Sequence, residues 1–163
     1  VTSMFLHNSY RHIVMNVIFG IFSMYEIEYC WRWSILVALV AGFAANCMAV
    51  VAMEGKLLGF SGCLCACIGI QIAALVLHCN YLRQVYASQF YLILMMTVIT
   101  LLMIIGFTQA GLVHFFGICF GVLFGLALYP RMPEASINEN LDKIFKIMAV
   151  AFLGLAVMLA LIA

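Results

Sequence analysis

Apolar residues dominate this chain in long uninterrupted stretches, and polar residues cluster in the short gaps between them. Six stretches stand out, at 8–25, 34–53, 59–78, 88–106, 111–129 and 144–163. Each is close to the roughly 20 residues that a helix needs to cross a hydrocarbon layer about 30 Å thick. None alternates with a period of two, which argues against the strands of a membrane barrel. Helices satisfy every backbone N–H and C=O internally, so the pattern predicts an all-α, polytopic transmembrane helical bundle.

The gaps carry nearly all the charge: Glu26, Glu28 and Arg32, then Glu54 and Lys56, then Arg83, then the stretch from Arg131 to Lys146. Only the connection from Pro130 to Asp142 is long. It holds both prolines and ends in Asn140-Leu141-Asp142, a reasonable helix start. We therefore expect a core of five spans over 1–129, a polar linker at 130–143, and an additional C-terminal transmembrane helix at 144–163. The chain opens at Val1 and runs directly into the first span, so an upstream portion is expected. No cleavable signal peptide is visible, because the first run lacks a basic leader and a small-residue cleavage site.

Composition agrees with this class: 68% hydrophobic residues, 8% charged residues and a mean hydropathy of +1.23 exceed what a water-soluble core uses. If the spans alternate in direction, Arg32, Arg83, Arg131, Lys143 and Lys146 share one face, and only Arg11 and Lys56 lie on the other. The positive-inside rule makes the first face cytoplasmic or its topological equivalent. It applies equally to the plasma membrane, the secretory pathway and the mitochondrial inner membrane. A net charge of +1 without a basic stripe excludes nucleic acid as a partner. Every Asp and Glu falls in a gap or at a helix end, which disfavours a proton- or ion-coupled transporter.

Polar side chains inside the spans are the candidates for chemistry, since burying them in lipid is costly unless they pair or line a wet cavity. Ser61 follows Gly59-Phe60 and precedes Gly62 at the head of the third span, and His114 heads the fifth. Both helices enter from the same face. His12 and Asn16 in the first span are four residues apart, on one helix face, and enter from that side too. Gly117, Gly121 and Gly125 make a small-residue ridge below His114, and Gly62, Ala66, Gly69 and Ala73 a matching one below Ser61. Packed together, the ridges would bring the serine and histidine within reach. A serine in such a helix ordinarily just bonds its own backbone, so the ordered set carries the argument rather than any single residue.

The seven cysteines do not suggest a metal or a disulfide framework. Cys63, Cys65 and Cys67 sit at alternate positions of one helix and point in different directions, so they cannot converge on one ion. No metal or soluble cofactor is implied.

The series His7-x4-His12-x3-Asn16, Gly59-x-Ser61-Gly62 and His114-x2-Gly117-x3-Gly121 resembles the rhomboid family of intramembrane proteases, over residues 5 to about 129. The resemblance implies a rhomboid-like core, with its first helix the piece absent before Val1 and the last span a helix that some members append. It further implies a Ser-His dyad that cleaves transmembrane substrates, with Ser61 as nucleophile and His114 as general base. His12, Asn16 and the Ser61 backbone N–H would hold the oxyanion, with Gly59 in support. Two positions depart from the family pattern: Cys65 stands where a tyrosine is common, and Val113 where the residue before the histidine is usually small. Trp31-Arg32-Trp33 lies on the other face and reads as an interfacial anchor. The alternative reading is a catalytically inactive rhomboid-like protein that binds partner helices or serves as a subunit of a larger membrane complex.

Overall fold

The computed structural model describes residues 10–30, 32–52, 60–85, 95, 98, 109–130 and 139–162. His7, Gly59, most of the predicted fourth span and most of the linker lie outside the described residues. Among the described residues five helices follow in order: α1 (Tyr10–Cys30), α2 (Ser34–Ala52), α3 (Ser61–Val85), α4 (Gln109–Leu128) and α5 (Glu139–Ile162). Met95 and Val98, between α3 and α4, are also helical. Ser34–Ala52, Ser61–His78 and Gly111–Leu128 are long and apolar enough to cross a bilayer. The protein is an all-α, multi-pass integral membrane protein, and lipid is its surrounding medium.

Large apolar side chains such as Ile21, Leu36, Val76, Ile147 and Val150 are exposed on the helix bundle. In water they would be a liability, whereas against lipid tails they cost nothing. Lipid is as apolar as leucine, so the helices are held together by close van der Waals fit and interhelical hydrogen bonds rather than by a hydrophobic driving force.

That fit is tightest around α3. Some 78% of its spanning stretch is buried, against 39% for α2 and 44% for α4, which makes α3 the central helix. Along its seam with α4 the two backbones touch. A side chain at Gly69 would stand 2.8 Å from Gly121 Cα and 2.7 Å from Val122 N, and one at Gly121 would stand 2.8 Å from Ala66 Cα. At Gly117 it would lie 2.9 Å from Cys65 Cβ, and at Gly125 2.6 Å from Ala73 Cβ. The partners rise together along both helices, so α3 and α4 run parallel.

α2 runs against this pair. Gly42 abuts the backbone of Cys63, Asn46 reaches Gly62, and Ala49 packs with Val113. α1 joins the other side of α3 in parallel, with Gly20 on Leu64 and the Gln71 amide donating to the Ser23 carbonyl at 3.5 Å. α5 packs on α4 and α2 through Ala149, Phe145 and Leu153, and Phe152 meets Phe120 edge-on at 6.1 Å between ring centroids.

Three helices extend past their apolar spans, α1 by running on through Glu26 and Glu28 to Cys30. α5 starts at Glu139 rather than 144, because its polar first turns lie outside the apolar stretch and are supported by the Lys146–Asp142 pair at 2.7 Å. α3 continues to Val85 beyond a break at His78 (φ −134°, ψ 29°).

Gly121→Ala is expected to lower stability by about 1–3 kcal/mol, since the added methyl meets backbone that cannot yield. Gly154 has nothing within 4 Å, so Gly154→Ala should instead raise stability by up to about 1 kcal/mol through helix propensity. Unfolding titrations in mixed micelles would read both, and equal effects would mean that the α3–α4 seam is not closed.

Candidate active site

The contacts along the seam determine the depth of the candidate residues. Cys65 meets Gly117; one turn earlier on each helix stand Ser61 and His114. At 1.5 Å of rise per residue the two positions agree in depth to within about 2 Å. The neighbouring contact says the same, since a side chain at Gly62 would lie 2.8 Å from Val113 Cγ1. On α1, Asn16 stands one turn before Gly20, and Gly20 rests on Leu64, one turn after Phe60. Asn16, Ser61 and His114 therefore stand at a similar depth, on α1, α3 and α4, with α3 in contact with each of the other two. All three are partly buried, neither sealed in the core nor fully open. His12 is one further turn toward that end of α1, and the structure describes its backbone only.

Ser61 is the first residue of α3. The Cys63 N–H donates to the Phe60 carbonyl at 3.0 Å and the Leu64 N–H to the same carbonyl at 3.3 Å. The N–H groups of Ser61 and Gly62 precede that ladder, as the opening amides of any helix do. They lie at the positive end of the helix dipole, where a developing negative charge is stabilised.

The glycines lie deeper and carry no chemistry of their own. Gly62, Gly117, Gly121 and Gly125 each place backbone or small side-chain atoms where a Cβ would go, and so determine how close the two helices come. Cys63 turns to Gly42 on α2, whereas Cys65 turns to Gly117 on α4, so the thiols diverge. Both are buried and free, as is Cys67.

Among the described residues, Ser23, Ser34, Asn46, Gln71 and His78 are buried polar residues that escape the sequence reading although the rule that singled out Ser61 applies to them as well. Asn46 donates its amide to the Gly42 carbonyl at 2.8 Å and stands beside Gly62. Gln71 ties α3 to α1. His78 is at the far end, where its Nε2 lies 3.1 Å from the Pro130 carbonyl and its ring 5.7 Å from that of Tyr129. It pins the end of α3 to the end of α4, about 25 Å from Ser61 along the helix.

The class is that of a multi-pass helical membrane protein, with an asparagine on α1, a serine on α3 and a histidine on α4 at similar depth. The family model described as the Rhomboid domain matches residues 1–131, most of the chain. The protein belongs to the rhomboid family. No curated protein and no solved structure matches it significantly.

His78→Ala should cost about 0.5–1.5 kcal/mol, the usual net worth of a hydrogen bond whose acceptor, here on the exposed Pro130, can turn to other donors. His78→Gln, whose amide can still donate, should recover part of it. Equal stability of all three proteins in a denaturant titration would show that the far end does not depend on this bond.

Proposed function

We propose that this rhomboid-family protein is an intramembrane serine protease in which Ser61 attacks and His114 acts as general base. The observation that supports the reading is the parallel, glycine-lined seam, which sets positions 61 and 114 at the same depth at the same end of the bundle. A serine hydroxyl is far too weak an acid to react unaided, so a base within hydrogen-bond reach is the first requirement.

In this mechanism the Ser61 hydroxyl oxygen forms a bond to the scissile carbonyl carbon while its proton passes to the His114 imidazole. The carbonyl oxygen becomes an oxyanion beside the first amides of α3. Those N–H groups, with Asn16 and His12 from α1, donate to it, with Gly59 in a supporting role. Collapse of the intermediate breaks the C–N bond, and the imidazolium gives its proton to the leaving amine. Water then attacks the acyl ester with His114 again accepting the proton, which releases the acid and restores Ser61. Residue 114 lies five positions into α4, about 7.5 Å below the start of that helix. Substrates are accordingly transmembrane segments cut near the membrane surface, where water can enter.

Ser61→Ala and His114→Ala should each reduce cleavage of a test transmembrane substrate by about 10⁴-fold or more, with helical circular dichroism unchanged. A fluorophosphonate probe should label the unaltered protein and neither variant. Absence of labelling in both detergent and lipid would refute the dyad and leave the helix-binding, non-catalytic reading.

A further inference from the structure

Three helices converge on one point next to Ser61. A side chain at Gly62 would lie 2.8 Å from Val113 Cγ1 of α4, 3.3 Å from Asn46 Nδ2 of α2 and 3.6 Å from the Gly42 carbonyl oxygen. The space is already full, so Gly62 is gripped from two sides. Asn46 is itself tethered, since its amide donates at 2.8 Å to the Gly42 carbonyl one turn earlier in α2. Gly42 in turn presses on the Cys63 backbone, with the site of its missing side chain 2.7 Å from Cys63 N and 2.7 Å from Cys63 Cα. The Asn46 side of the grip therefore moves only with α2.

We infer that Asn46 and Val113 are positioning residues that clamp Gly62 and thereby hold Ser61 at the height of His114. The inference rests on the dyad reading above. Val113 is joined directly to His114, and Gly62 to Ser61, so a single van der Waals contact relates the two reacting residues through one peptide link on each side. Asn46 closes the clamp from behind. It is 7% exposed in a span that is otherwise apolar, a costly placement for an amide that spends a donor on its own helix. Near-attack geometry tolerates little error, and a displacement of about 1 Å costs about 100-fold in rate.

The experiment compares fluorophosphonate labelling rates and the kcat and KM for a transmembrane substrate across variants in lipid. Gly62→Ala should lose about 100-fold in labelling, because its methyl collides with Val113. The double variant Gly62→Ala with Val113→Ala should regain at least tenfold of that loss. Asn46→Ala should lower kcat about tenfold with KM unchanged. Asn46→Ser should restore most of kcat, since a serine hydroxyl can bond the carbonyl four residues back. A residue that only stabilises the bundle would shift unfolding without this division between kcat and KM. Labelled wild type together with an Asn46→Ala variant of equal kcat, or a Gly62→Ala variant as reactive as wild type, would overturn the clamp alone. A wild type that is neither labelled nor active would overturn the dyad and the clamp with it.

Discussion

Backbone contact between α3 and α4 governs the arrangement of everything else. In lipid no hydrophobic gain draws two helices together, so their association depends on how closely atoms can approach. Gly69 and Gly121 bring main chain onto main chain there, with no side chain between. Such a seam has few alternative registers: a slip by one residue would drive Val122 or Ile118 into backbone. Depth and rotation of the residues at its mouth are determined by the same contacts.

Around that pair the remaining helices act as braces of different kinds. α2 contributes small residues to the core, Ala38, Ala41 and Ala45, and lies flush on α3 where Gly42 meets the Cys63 backbone. α1 is tied to α3 by Gly20 on Leu64 and by the long Gln71–Ser23 bond. α5 grips through one face, Phe145, Ala149, Phe152 and Leu153, and turns Ile147, Val150 and Leu161 outward. The end that carries Ser61 and the end that carries His78 are thus organised separately, one by glycines and the other by a hydrogen-bonded ring.

The departures from the family pattern acquire a physical meaning in this setting. Val113 fills the notch at Gly62, so a β-branched residue there adds contact on α3. Cys65 meets Gly117 by its Cβ, a small residue against none, which allows a close approach one turn below the candidate dyad. Bulk is taken from one wall of the seam and supplied at its mouth.

Length and polarity were enough to read the class, the helices and the membrane directly from the chain, because lipid permits so few backbone conformations. The rhomboid family was legible too, through the order of His12, Asn16, Ser61 and His114. Helix ends were less so: Glu139 and Val85 lie in polar sequence, where hydropathy no longer marks a boundary. Asn46, Gln71 and His78 carried the same signal as Ser61, a polar side chain in an apolar run, yet nothing in the chain says which of them faces a neighbour. That choice belongs to the packing. Seam register, the three-way meeting at Gly62 and the pinning of His78 to Pro130 arise between residues 16 to 55 positions apart. Contacts at that separation follow from how the helix surfaces interlock in space, which a one-dimensional pattern of polarity does not encode.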